Sequence, residues 1–291
     1  MLYTLRNDCM QVTVDDLGAQ IMSITASDGL EYLWSGDPAF WGDRAPVLFP
    51  YVGRLTEGCY TFRDKRYEMG IHGFAAQSRF MAVVEEDDRL ILALSDTPEI
   101  RKQYPFAFDF SVCFELDGTT LNITYAVENR SRIPMHFGLG GHPGFRLPLE
   151  EGRSFEDYRL SFSRSCRPYQ VNLSDSCMVL GHETPYALEN GTTIPLHHRL
   201  FDHDAVILDH VDKTVTLSAG EGSRGVTVSY PMMRYLGIWH TTASDAPFVC
   251  IEPWSSLPSR LDIVEDISQQ GDLITLLPDE IYLNPWSITI F

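Results

Sequence analysis

Apolar and polar residues alternate through residues 108–116 and again through 119–128, and one Asp117-Gly118 pair separates the two runs. A period of two sends successive side chains to opposite faces of an extended chain, and Asp-Gly between two such runs marks a tight hairpin. The same pattern recurs along most of the chain. Met10, Val12 and Val14 alternate with polar residues, and residues 19–26 read as a strand closed by Ser27-Asp28-Gly29. Residues 60–62 and 67–69 flank Arg63-Asp64-Lys65-Arg66 as a hairpin, and residues 81–85 and 90–94 flank a turn at Asp87-Asp88. Further strands are predicted at residues 158–163, 205–208, 214–218, 226–230, 236–240, 248–251 and 287–291. Helical spacing is scarce. Thr97-Pro98-Glu99 opens one short helix running to Gln103, and residues 257–264 hold a turn of another. Many short strands with turn signals between them predict an all-β fold, a large antiparallel sandwich. With no linker, charge block or repeat, residues 1–291 read as a single domain.

Charge narrows the choice of partners. Asp and Glu total 40 against 22 Lys and Arg, a formal net charge of −18. Such a surface repels phosphate backbones and anionic lipid, so neither nucleic acid nor a membrane is an expected partner. A small neutral or cationic molecule suits it better, with the chain acting as a monomer or homodimer. The first residues, Met1-Leu2-Tyr3-Thr4-Leu5-Arg6, lack the basic start and apolar stretch of a signal peptide. No apolar run approaches the roughly 20 residues of a membrane span. Cys9, Cys59, Cys113, Cys166, Cys177 and Cys250 form no C-x-x-C pair and no zinc spacing. Cys113 and Cys250 lie in apolar runs and read as buried thiols. A reducing, cytoplasmic setting is therefore expected.

Three ionisable residues stand where extended apolar runs meet Gly or Pro: His72 in Gly-Ile-His-Gly-Phe-Ala, His142 in Gly-Gly-His-Pro-Gly-Phe, and Glu252 in Cys-Ile-Glu-Pro-Trp. Such junctions present side chains to a ligand rather than to the core. Two imidazoles and a carboxylate are a minimal kit for moving a proton between two atoms near neutral pH. Trp254, two residues beyond Glu252, projects to the same side of an extended chain and offers a face for a ring. Other motifs fail on context. Gly220-Glu221-Gly222-Ser223-Arg224-Gly225 matches a dinucleotide-binding fingerprint in letters, but an alternating strand follows it where a helix is required. His197, His198, His203 and His210, with Asp202, Asp204 and Asp209, match no standard ligand spacing, so no metal is expected there. No Gly-x-Ser-x-Gly elbow occurs.

Five segments carry a resemblance when taken in order: Leu48-Phe49-Pro50-Tyr51-Val52-Gly53-Arg54-Leu55, Ile71-His72-Gly73-Phe74-Ala75, Gly140-Gly141-His142-Pro143-Gly144-Phe145, Asp204-Ala205-Val206-Ile207-Leu208 and Cys250-Ile251-Glu252-Pro253-Trp254. Together they resemble the aldose 1-epimerase (galactose mutarotase-like) family, in its LacX-type branch, over most of the chain. The resemblance implies a large antiparallel β-supersandwich and a cofactor-free exchange of the α and β anomers of a free aldose. Glu252 would be the general base on the C1 hydroxyl and His142 the general acid on the ring oxygen. His72 would hydrogen-bond the region between them. Arg54 would hold a hydroxyl, and an aspartate would accept from others. That aspartate is Asp202 or Asp204, with Asp204 preferred because it directly precedes a strand. Trp254, Phe74 and Trp34 would be stacking faces. Pro-Gly-Phe follows His142 where galactose mutarotases carry a Tyr-Phe-Asn-Leu-like run, which leaves the sugar open. Two rival readings are a hexose 6-phosphate epimerase, with Arg54, Arg79 and Arg132 as candidate phosphate ligands, and a non-catalytic sugar-binding or sensing protein.

Overall fold

The long alternating hairpin forms as the pattern demands, and the computed structural model shows Phe108–Asp117 antiparallel to Thr120–Asn129. Phe108, Phe110, Val112, Phe114 and Leu116 all point inward. The turn falls on Gly118-Thr119, one residue later than expected, with Gly118 taking the left-handed backbone (φ 55°). The structure describes residues 1–220 and 222–291; Glu221, inside the glycine-rich 220–225 stretch, lies outside the described residues. That stretch joins Thr214–Ser218 to Gly225–Ser229, an antiparallel pair. Arg63 and Asp64, both left-handed at φ 50° and 61°, close the hairpin Cys59–Phe62/Lys65–Glu68 in two residues rather than four.

Two large antiparallel sheets face each other. One has nine strands in the order Thr193–Pro195, Arg159–Phe162, Thr214–Ser218, Gly225–Ser229, Ile281–Ile290, Thr120–Asn129, Phe108–Asp117, Arg89–Ser95, Met81–Glu85. The other has eight, numbered here in chain order: β1 (Val47–Leu48), β2 (Gly140–Gly141), β3 (Gly144–Arg146), β4 (Tyr169–Leu173), β5 (Val179–Pro185), β6 (Val206–Asp209), β7 (Tyr235–Trp239) and β8 (Phe248–Trp254). They lie in the order β5-β4-β6-β7-β8-β2-β1, with β3 also on β8. The main core fills the space between the sheets and draws side chains from Leu5 to Ile290.

Strand β8 is buried along its whole length. Val249 and Ile251 enter the main core. The opposite face carries Phe248 and Cys250 into a cluster with Trp34, Trp41 and Trp239, and Trp254 into another with Leu48, Ile207 and Tyr235. A strand covered on both faces reads as a continuous apolar run, as 248–251 did. The expected end at Ile251 is corrected: β8 continues through Glu252 and Pro253, whose register partners are Gly237 and Leu236 on β7. The short helix is Ile100–Gln103, whose first N–H donates to Thr97 Oγ1 at 3.2 Å. Residues 257–264 hold no helix; the Leu257 N–H is taken by the Asp272 carboxylate at 2.6 Å. All six cysteines are free; Cys250 is buried, whereas Cys113 is only partly so. Among the described residues, no helix is long and apolar enough to cross a membrane.

Candidate active site

Alternation along β7 and β8 puts Tyr235, Gly237 and Trp239 beside Cys250, Glu252 and Trp254, on the face turned away from the main core. Gly237 stands directly opposite Glu252. A Cβ there would lie 3.2 Å from the Glu252 Cβ and 3.1 Å from the Trp254 ring, so the missing side chain is what lets carboxyl and indole sit flat on the sheet. Next to β8, β2 pairs Gly140 with Trp254 and then delivers His142. A Cβ at Gly140 would meet the Pro253 carbonyl at 2.8 Å, so only glycine admits this approach.

His72 arrives from the far side on a loop. Its left-handed backbone (φ 62°) is followed by another at Gly73 (φ 77°). The His72 N–H donates to the Gly53 carbonyl at 2.9 Å, and the Gly53 N–H donates to His72 Nδ1 at 3.1 Å. This reciprocal pair makes Nδ1 the acceptor, so a neutral His72 carries its proton on Nε2.

These groups line a cavity of about 410 Å³. His142 Nε2 lies 3.1 Å from Glu252 Oε2, and the His72 and His142 rings meet edge to face at 5.6 Å between centroids. Glu252 is 1% exposed and His142 8%. Neither carboxylate oxygen, nor His142 Nδ1, has an aligned hydrogen-bond partner among the described residues. Burial pushes Glu252 well above the usual carboxylate range, and the negative charge of Asp204 adds to it, with the Trp254 indole opposing. Burial pushes His142 well below the usual imidazole range, with His72 adding to it. Burial and then Arg54 lower His72 to about 4. The opposed shifts favour a pair that keeps one proton, with the carboxyl protonated and the imidazole neutral, an arrangement suited to passing a proton in and taking one back.

Arg54 and Asp204 stand at the rim with Cys177. The Cys177 thiol donates to Asp204 Oδ2 at 2.7 Å, and the Ala205 N–H donates to Oδ1 at 2.7 Å. Asp202 caps a short turn on the exposed surface and does not line the cavity, so of the two aspartates the fold brings in Asp204. Trp254 lines the cavity as expected from its spacing. Phe74 does not. It packs inward against Phe49, Tyr104 and Phe108, because the two left-handed residues before it reverse the chain. Trp34 lies one layer behind the cavity, stacked on Phe248 at 4.6 Å, with its indole N–H donating to the Trp41 carbonyl at 2.8 Å. The aromatic walls are instead Trp41, 4.9 Å from the His142 ring, and Trp239, 5.6 Å from it. Sequence reasoning missed both. Trp41 sits in an aperiodic stretch, and Trp239 looks like any strand residue.

Arg79 pairs with Asp16, and Arg132 is exposed elsewhere, so neither joins Arg54 at the cavity. The histidine-rich segment disperses: His198 bonds His240, while Asp209 accepts from Arg234. Among the described residues, His142, Cys250 and Glu252 are the set whose potential metal-ligand atoms converge, all within 4.8 Å of one another.

A family profile described as aldose 1-epimerase matches residues 1–282. The chain belongs to the aldose 1-epimerase family. Chromosomal protein LacX of Lactococcus lactis subsp. lactis is 31% identical over 299 residues, covering all of this chain and 99% of the relative. A galactose mutarotase related enzyme from Lactobacillus acidophilus superposes with a TM-score of 0.93 at 32% identity, over 100% of this chain and 97% of that one. A galactose mutarotase-like protein from Lactobacillus casei gives 0.93 at 26% identity over the full length of both. The aldose 1-epimerase fold is thus the antiparallel β-sandwich expected from the strand pattern.

Proposed function

We propose that this aldose 1-epimerase family member is a mutarotase that interconverts the α and β anomers of a free hexose. The observation that carries the reading is the pair at the cavity floor, one imidazole and one carboxyl 3.1 Å apart and buried, with no aligned hydrogen-bond partner for either Glu252 oxygen or for His142 Nδ1 among the described residues. The opposed shifts favour the proton on Glu252 at rest; the reaction draws on the minor form, with the proton on His142 and Glu252 ionised. Glu252 takes the proton from the C1 hydroxyl as His142 gives one to the ring oxygen. The C1–O5 bond breaks and the aldehyde forms. Rotation about C1–C2 presents the other carbonyl face, and the reverse transfers close the ring. The pair ends with the proton count it began with, so the step needs no cofactor. The His72 Nε2–H steadies charge at the ring oxygen and C1 region. Arg54 and Asp204 hold hydroxyls at the rim, and Trp41, Trp239 and Trp254 wall the ring.

A free sugar is favoured over a phosphorylated one. Among the described residues, Arg54 is the one basic side chain beyond the histidines on the cavity wall, and Asp43, Asp204 and Glu252 share that wall with it. A dianionic phosphate would face three carboxyl groups for one guanidinium. The chain is read as one domain, supported by a main core running from its first strand to its last, and as cytoplasmic, supported by six free thiols.

Anomer exchange followed by NMR for glucose, galactose and a hexose 6-phosphate, in wild type and Glu252→Gln, tests the proposal. Acceleration by wild type, with a loss of roughly 10²–10⁴-fold in the variant, is expected. Sugar binding without exchange in wild type would instead make this a sugar sensor.

A further inference from the structure

Cys250 takes no part in the chemistry above and does not line the cavity; it lies just behind the floor, packed with Trp34 and Phe248. It precedes Glu252 by two residues on β8 and so points to the same face. Its sulfur, a His142 ring nitrogen and a Glu252 oxygen lie within 4.8 Å of one another, and all three side chains are buried. Zinc held by thiolate, imidazole and carboxylate at about 2.0–2.3 Å sets its ligand atoms roughly 3–4 Å apart in a tetrahedron. The observed spacing, at most 4.8 Å, closes to that range by side-chain movement of up to about 1–2 Å.

We propose that His142, Cys250 and Glu252 form a three-ligand site for a borderline-soft divalent cation, with zinc as its type, and that occupation of this site switches the acid/base pair off. Three arguments converge. The donor set is the first: one sulfur and one nitrogen beside one oxygen favours zinc over magnesium or calcium, which take all-oxygen shells. Compensation is the second. Both Glu252 oxygens lack an aligned hydrogen-bond partner among the described residues in a buried setting, and a dication would supply counter-charge to an ionised Glu252. Access is the third. His142 and Glu252 line the cavity that would admit a sugar, which gives an ion a route to them, with the Cys250 sulfur behind the pair as the third ligand. Binding displaces the proton that the pair holds and occupies the lone pairs on which proton transfer depends. The inhibition part rests on the mutarotase reading; the metal site itself does not.

The rim offers an internal control. Cys177 also meets a carboxylate, Asp204, but among the described residues no third ligand converges there.

Cobalt titration of the purified full chain is the test, with zinc competition to follow. Wild type should bind one equivalent of Co²⁺ and show a thiolate-to-cobalt charge-transfer band that zinc abolishes. Cys250→Ala should lose the band and weaken zinc binding by more than the roughly 10–100-fold typical of losing a supporting group around a metal. Cys177→Ala should keep both. Cys250→Val, which refills the volume, must give the same result as Cys250→Ala, with near-ultraviolet circular dichroism confirming a folded chain. In the NMR exchange assay, zinc should stop wild type and spare Cys250→Ala. Absence of the cobalt band in wild type, or its persistence in Cys250→Ala, overturns the site. Exchange that continues in the zinc-loaded wild type overturns the switch. A zinc site in a chain that accelerates no sugar supports the metal inference and sinks the mutarotase reading.

Discussion

Two pairs of histidines approach each other almost equally in this protein: His198 and His240 at 5.1 Å between ring centroids, His72 and His142 at 5.6 Å. Burial lowers His240 and His72 alike, each to about 4. Burial and a shifted pKa therefore do not separate the two pairs. Hydrogen bonding does. His240 Nδ1 donates to the Thr241 carbonyl at 2.8 Å, so its Nε2 must accept, and His198 Nδ1–H supplies the proton at 3.0 Å. Phe155 stacks on His198 and Phe201 packs on His240, each at 4.2 Å. That pair is closed: both His240 nitrogens are used, and aromatic rings cover the rest. The His72–His142 pair is open. Among the described residues, His142 Nδ1 and both Glu252 oxygens have no aligned partner, and the His72 Nε2–H is uncommitted. A buried polar atom left unpaired costs about 1–3 kcal/mol, so a group of them in one cavity marks a place kept for a ligand.

The contrast can be broken most severely at Glu252 and His142. Removing either should cost roughly 10²–10⁴-fold in anomer exchange, and the double variant Glu252→Gln/His142→Asn should be no worse than the poorer single one, because the two proton transfers act as a unit. Additive losses in a double-variant cycle would show two independent roles instead. His72→Asn keeps an acceptor for the Gly53 N–H but loses the Nε2 donor. It should lower kcat by about 10²-fold with the fold intact, the size of effect seen when one donor to developing charge is removed. In the closed pair, His198→Ala should leave kcat and KM untouched while destabilising the chain by about 1–3 kcal/mol in urea denaturation, since His240 loses its partner. A fall in kcat there would erase the distinction between the pairs. The smallest effect is one the pairs share. Between about pH 6.5 and 4 the unfolded chain binds two protons that folded His72 and His240 refuse, one each, so stability should fall as pH drops through that window and level off below it. His72→Asn and His240→Asn should each flatten this slope by about one proton. The buried Glu252 acts the other way, losing stability as pH rises above the ordinary carboxylate value, so Glu252→Gln should steepen the rise of stability with pH.

Where side chains alternate between core and solvent, the sequence was enough to place the strands. Thr214–Ser218 shows the pattern without a break. It fails on β5, which is exposed along nearly all its length and so has no apolar face to show. It fails also on the two-residue strands β1 and β2, whose pairing is set by neighbours from elsewhere in the chain. The site divides in the same way. His72, His142 and Glu252 were visible because glycine and proline around a lone ionisable group have no packing reason to be there. Phe74 misled because adjacency to His72 was read as shared direction, and two consecutive left-handed residues undo that. Trp41 and Trp239 left no mark, since an indole on a wall and an indole in a core are spelled alike.

Strand β8 has no free face: one side seals the main core through Val249 and Ile251, and the other carries Cys250, Glu252 and Trp254. The floor of the cavity cannot soften while the rest of the molecule stays whole. Heat inactivation and loss of near-ultraviolet dichroism should then share one midpoint, which makes residual turnover a direct reading of how much protein in a sample is still folded.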